Sequence, residues 1–541
     1  MLPAVSVTFF RAVPRWLSRL ASGLIVAAWL VQMGLLLNRN YLQASSLNLA
    51  ADLARYGSSA QWKGVYYRGE KIGFMVGQTV PTSDGFELQE DGQLQMAMLG
   101  ATSAARIHTS ARVDKAFALR SFAFSLDPGT GAVAVKGTLD GRRLDLTIET
   151  PSGTRSESRE LAEPPALSLN LSRRLAAEGL VPGQHRELTV FDPATLRNAP
   201  MSLDVEAREI VRAAGRPVPA FKVRMRFGGL VSTSWITDVG EVVREESPMG
   251  LMVVKETRNR ATALAVPGDV QSDMLEAAAI VAQGPKIDDP VSVQRLRVRI
   301  EGVEIGGPDL EGAGQTASGD VIEVRDSSTL APGPRDPEAA SFLAPEPFLE
   351  SDAPEVRDEA VKAVQGVEGT LARAERLVRY VNALLEKKPT VSLPSAREVL
   401  RTKVGDCNEH TALYVAMARS LGIPARVAVG LVHLHGAFYY HAWPEAYIEE
   451  RGRGIWMPVD PTLNQFPADA THLRLARGGL DRQAAILPMI GRARMRILDL
   501  QVAPGSTPML VGRTASDMKP MDIPLPRRDP RGRGCWSRPP R

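Results

Sequence analysis

Cys407, His441 and Asp460 follow one another within the span of one small domain. A thiol, an imidazole and a carboxylate can together perform acyl chemistry. The sulfur attacks a carbonyl, the ring pairs with it and later protonates the leaving group, and the acid holds the ring's tautomer. The local sequence supports this. Leu413, Ala416 and Met417 recur at helical spacing, and Gly422 followed by Ile423-Pro424 is a stop signal, so a helix is expected over 408–420 with Cys407 at its first turn. The positive end of that helix is expected to lower the thiol pKa, and its free N–H groups to bind a developing oxyanion. Residues 425–434, 441–448 and 455–460 read as strands, and antiparallel neighbours would bring His441 and Asp460 side by side.

Gly405-Asp406-Cys407, the stretch Ala418-Arg419-Ser420-Leu421-Gly422-Ile423-Pro424-Ala425-Arg426, His441-Ala442-Trp443 and Asp460-Pro461-Thr462 stand in that order. Together they resemble the bacterial transglutaminase-like superfamily, over roughly residues 355–475. The resemblance implies Cys407, His441 and Asp460 as the catalytic triad. It also implies an α+β, papain-like transglutaminase core in which the cysteine-bearing helix packs on an antiparallel sheet. The expected reaction is thiol-dependent acyl chemistry on protein or peptide amides through a thioester acyl-enzyme. Water resolving the thioester makes a cysteine peptidase or amidase, and a lysine amine makes a transglutaminase. A third reading is a binding or assembly module that keeps the fold as scaffold. No cofactor is required; animal-type transglutaminases use calcium, but no Asp-rich loop of the EF-hand type is present.

Other residues nearby have plainer readings. His410 shares a helix face with Cys407 and reads as support or packing, and Asp406 and Glu409 read as helix-start carboxylates. His433 and His435 would share a strand face, which leaves a zinc site open as an alternative. Trp443 reads as a wall of the site or as core. Pro444 removes a donor from the His441 strand and points to an edge or a bulge.

The elements that must position these groups occupy part of a chain of 541 residues, too long for one core. At 44% hydrophobic and 23% charged the composition is globular, and a net charge of +4 implies no nucleic-acid partner. Two cysteines exclude a disulfide scaffold. Residues 20–37 are almost continuously apolar and follow Arg11, Arg15 and Arg19. A helix there would be about 27 Å long, enough to span a bilayer with the N-terminus inside. A cleaved signal peptide is the rival reading. The expectation is a single-pass protein of the cytoplasmic membrane with its catalytic domain exported.

Five regions follow: 1–45, the cytoplasmic segment and transmembrane anchor; 58–303, a β-rich exported domain; 304–350, a Gly/Pro-rich linker; 351–480, the catalytic domain; and 481–541, a C-terminal extension. In the β-rich region Leu94, Met96 and Met98, and again Leu144, Leu146 and Ile148, alternate with polar residues as half-buried strands do. Ala374, Leu377, Val378, Val381, Leu384 and Leu385 mark an amphipathic helix packed on the catalytic core. Residues 484–500 read as a last helix or strand pair. The Pro- and Arg-rich tail after 524 reads as disordered, and its Cys535 could pair with Cys407 and silence it.

Overall fold

The computed structural model describes residues 60–98, 101–129, 131–228, 230–247, 250–264, 279–388, 393–478, 489 and 492–503. The proposed anchor at 20–37 and the tail with Cys535 lie outside these. Among the described residues no helix is long and apolar enough to cross a membrane.

Alternating sequence builds a fourteen-stranded antiparallel sheet between residues 61 and 256. Strand Arg143–Thr150 shows the rule, with Leu144, Leu146 and Ile148 at 0%, 1% and 4% exposure between outward charges. The sheet runs from an edge at Gly153–Glu160 to Gln61–Tyr67, which pairs with Leu251–Glu256, and on to a second edge at His185–Asp192. It curls back on itself, because Phe191 and Leu196 from the second edge join the core of Phe122, Val135 and Leu146 near the first. Helix Ser168–Glu178, which the sequence reading did not foresee, packs Leu171 and Leu175 on the second half.

The catalytic part places helices Pro354–Ala363, Thr370–Leu384, Ala396–Thr402 and Cys407–Ser420 against a five-stranded sheet. That sheet has the order Gly333–Pro334, Arg453–Pro458, Ala437–Glu450, Ala425–Leu434 and Leu473–Arg477. Ala374, Leu377, Val378 and Val381 of the leading helix are fully buried, and Tyr414 donates to the Ala374 carbonyl at 3.2 Å.

Two expected boundaries change. Strand Val293–Glu301 does not extend the long sheet: it pairs with Val321–Arg325 and with Arg494–Val502, and its apolar face shares one core with the catalytic helices. Residues 304–350 are not a linker. They carry strands Gln315–Ser318 and Val321–Arg325 and a short strand paired with Arg453–Gly454, so they wrap the catalytic sheet as a strap. Their Gly, Pro and Asp residues make turns whose polar groups find distant partners. The buried Gln315 amide donates to the Leu310 and Arg474 carbonyls at 2.9 and 2.8 Å, and Trp456 Nε1 donates to Asp336 at 2.7 Å. The extension accordingly gives a single strand, Arg494–Val502, to this part.

Candidate active site

The cysteine helix starts at a capping box. Asp406 accepts the Asn408 N–H at 2.9 Å, and Glu409 accepts the Asp406 N–H at 2.9 Å. Gly405 permits this closeness, since a Cβ there would come within 2.2 Å of Glu409. At the far end Ile423 N–H bonds the Ala418 carbonyl at 2.9 Å, with Gly422 at φ 78° and Pro424 next, so the helix stops where the sequence predicts.

Cys407 is a free, half-buried thiol. Its sulfur accepts the backbone N–H of Ala442, the residue after His441. Burial pushes the thiol pKa well above its ordinary value; the charges of Asp406, Glu409 and Asp460 add to this, and the Ala442 N–H only partly opposes it. The expected lowering by the helix end is therefore overturned: the capping carboxylates put negative charge beside the sulfur, which rests as a thiol. The expected oxyanion site also narrows, because the Asn408 N–H is taken by Asp406.

His441 and Asp460 meet as expected. His441 Nε2 lies 2.7 Å from Asp460 Oδ2, with exposures of 8% and 0%. Asp460 stands just past strand Arg453–Pro458, fixed by a two-way backbone bridge to Gln465 at 2.8 and 3.0 Å. Its other oxygen accepts the N–H groups of Thr462 and Leu463 at 2.7 and 2.9 Å. Burial opposes its charge, but the two rings and these donors hold its pKa far below the usual carboxylate range.

The second ring is His472, which the sequence reading passed over. Its Nε2 is 3.1 Å from Asp460 Oδ2, and its Nδ1 is 3.1 Å from the Asp469 carbonyl and 3.3 Å from the Asp469 carboxylate. Burial disfavours its charge, yet Asp469 and Asp460 push the pKa up to about 10. Gly430 makes the approach possible. It pairs with His441 on one side and Arg474 on the other, and a Cβ there would sit 2.0 Å from the Leu473 carbonyl. No spacing signal marks His472, because its role depends on which strand crosses Gly430.

His441 Nε2, Asp460 Oδ2 and His472 Nε2 are three metal-type donors within 4.8 Å of one another. Their chemistry fits protons better than an ion. Both nitrogens of His472 face acceptors, so the ring is a doubly protonated cation with no lone pair to give. The zinc alternative at His433 and His435 also fails, since the strand ends at Leu434 and His435 turns away at φ 49°. Buried His433 packs edge-on against Phe438, with ring centroids 5.2 Å apart.

The remaining expectations resolve locally. His410 is fully buried, with Nδ1 2.7 Å from the Asp406 carbonyl, and burial lowers its pKa, so it braces the helix start as a neutral ring. Trp443, 1% exposed, stacks near His441 and meets His472 edge-on at 5.1 Å, screening both rings from water. Pro444 lies in a strand that is central to the sheet but paired on one flank only up to this point; Arg453–Pro458 joins from Glu445 onward. Edge and centre meet at that residue, which explains how the missing donor is tolerated.

Residues 358–461 match the transglutaminase-like superfamily, and the chain carries a domain of that superfamily. Among solved structures, a candidate cysteine protease from Cytophaga hutchinsonii is 17% identical, covering 39% of this chain and 86% of that one at a TM-score of 0.26. The periplasmic domain of TgpA from Pseudomonas aeruginosa, solved with ethylmercury, is 19% identical, covering 35% and 84% at 0.22. No curated protein matches the chain.

Proposed function

We propose that the protein is a cysteine hydrolase of peptide or protein amides, with Cys407 as nucleophile, His441 as base and then acid, and Asp460 as orienter. The buried 2.7 Å bond between His441 and Asp460, beside the Ala442 N–H that reaches the Cys407 sulfur, carries this reading. With Nε2 engaged by Asp460, Nδ1 is the ring nitrogen left for the thiol.

Because Cys407 rests protonated, the step begins with proton transfer. The sulfur's proton passes to His441 as sulfur bonds the carbonyl carbon, and the carbonyl oxygen takes the negative charge. As that oxyanion collapses the C–N bond breaks, and His441 gives its proton to the leaving amine. A thioester remains. Water then yields a proton to His441 and adds to the thioester carbon; the C–S bond breaks, the sulfur regains the proton, and the carboxylic acid departs. Asp460, fixed by four hydrogen-bond partners, keeps its charge throughout and stabilises the imidazolium that forms in each half.

Incubation with a peptide amide and a fluorescent alkylamine, followed by intact-mass analysis, tests the reaction class. The expected result is an acyl adduct on Cys407 that hydroxylamine removes, with the free acid as product. Fluorescent amide as the main product would instead make the protein a transglutaminase. No adduct with any acyl donor would favour the scaffold reading. The proposal includes an exported position on a single N-terminal membrane helix, which rests on the apolar run at 20–37 and the arginines before it.

A further inference from the structure

Leu196 and Phe348 are far apart in sequence, yet both have left-handed backbone, at φ 55° and 69°. That conformation is disfavoured for any residue with a Cβ and is kept where the surroundings enforce it, often around ligand sites. Both residues are 6% exposed, and both line one cavity of about 330 Å³ between the long sheet and the catalytic part. Phe348 packs into the core of the long sheet, and Leu349 beside it enters the catalytic core, so the left-handed residue ties the two halves together at the cavity wall.

The walls are braced before anything binds. On the sheet side Asp192 accepts from Ala194 N–H at 3.0 Å and from the Thr195 hydroxyl at 2.8 Å, and Arg159 donates to the Leu196 carbonyl at 2.6 Å. On the catalytic side Ala396 N–H bonds the Phe348 carbonyl at 2.9 Å, and Arg419 donates to Ala344 and Glu346 at 2.6 and 2.7 Å. A pocket of this size and rigidity holds a side chain without paying for its own ordering.

Its position is next to the chemistry. Asn408, which follows Cys407, and Thr411 both line it. The Thr411 hydroxyl donates to the Ala442 carbonyl at 3.1 Å, and Ala442 is the residue whose N–H meets the sulfur. The charged lining residues are already engaged: Arg159 with Glu157, Glu346 with Arg419, and Arg197 over the Phe227 ring at 6.0 Å. What faces the space is apolar surface from Leu196, Phe348 and Val427, with neutral amides from Asn198 and Asn408.

We infer that this cavity is the specificity pocket beside the nucleophile and takes an uncharged, apolar side chain of the peptide acyl donor, with the long sheet supplying half of it. The inference rests on the hydrolase reading above. Peptidyl vinyl sulfones carrying leucine, glutamate or lysine test it: the Cys407 sulfur bonds the terminal vinyl carbon, and its proton ends on the carbon beside the sulfone. Labelling of the full-length chain is followed by mass spectrometry, with iodoacetamide as a probe that needs no pocket. The leucine probe should label Cys407 about 10- to 200-fold faster than the charged ones, the discrimination an apolar pocket gives. Thr195→Trp, which fills the space, and Leu196→Gly, which opens it, should each erase that preference and leave the iodoacetamide rate unchanged. Equal rates for the three probes on the wild-type chain, faster labelling by a charged probe, or a preference that survives in both variants would overturn the pocket and leave the hydrolase standing. An iodoacetamide rate indifferent to His441→Ala would remove the hydrolase reading, and this inference with it.

Discussion

At the scale of single residues, the site depends on a carboxylate held between two rings. His472 has a folded pKa of about 10 against an ordinary 6.5. A raised pKa stabilises the fold fully below about pH 6.5, and that contribution is lost as pH climbs toward 10. Asp460 runs the other way, contributing above the ordinary carboxylate range and losing it as pH falls. His472→Gln should therefore cost about 3–5 kcal/mol near neutrality, the usual loss for removing one partner of a buried charged pair. Urea denaturation at a series of pH values checks this. The gap between wild type and variant should shrink from pH 7 to 10; a constant gap would mean that His472 acts by packing alone. The thiol gives a second expectation. Asp406→Asn keeps an N-cap side chain but removes the charge that raises the Cys407 pKa, so stability should change by about 0.5 kcal/mol or less while alkylation at pH 8 accelerates. Slower or equal alkylation would contradict the assigned cause.

At the scale of elements, the periodic segments were legible in the sequence and the crossings were not. The helix expected over 408–420 and the strand expected over 425–434 stand at Cys407–Ser420 and Ala425–Leu434, because capping, period and stop signals are all local. Cys407, His441 and Asp460 could be singled out because each sits at the end of such an element. His472 could not, since it reaches the site only because Gly430 lets a non-local strand pass close. The thiol's raised pKa was hidden for a related reason: Asp406 and Glu409 read correctly as helix-start carboxylates, but their charge on the sulfur depends on the built geometry. The strap at 304–350 looked like a linker because its turn residues give no period, while its polar groups are satisfied by Arg474 and by Trp456 from far along the chain.

At the scale of the whole molecule, buried charge fastens the strap to the sheet. Glu445 is fully buried among Arg426, Arg474 and Arg477, and Arg474 continues to the carbonyls of Asp309, Glu311 and Gly312 at 2.7, 2.9 and 2.7 Å. Burial alone would raise the Glu445 pKa, but the three guanidinium groups pull it down to about 2. Its contribution is thus present above the ordinary carboxylate pKa and is lost as pH falls through about 2. Glu445→Gln should destabilise by about 3–5 kcal/mol at pH 7, with the difference closing below pH 4; an unchanged midpoint in denaturant would refute the clamp. The long sheet and the catalytic part also share core residues, Phe348 and Leu393. Calorimetry should show them unfolding in one transition, and two separated transitions would contradict that coupling.

The central claim is that His441 takes the proton of Cys407 as the sulfur attacks. Iodoacetamide labelling of Cys407 between pH 5 and 10, in wild type and in His441→Ala, measures it most directly. Wild type should react at pH 7 and the variant about 100-fold more slowly, catching up only at high pH where the thiol ionises unaided. Superimposable profiles would show that the imidazole has no part in the reactivity of the sulfur.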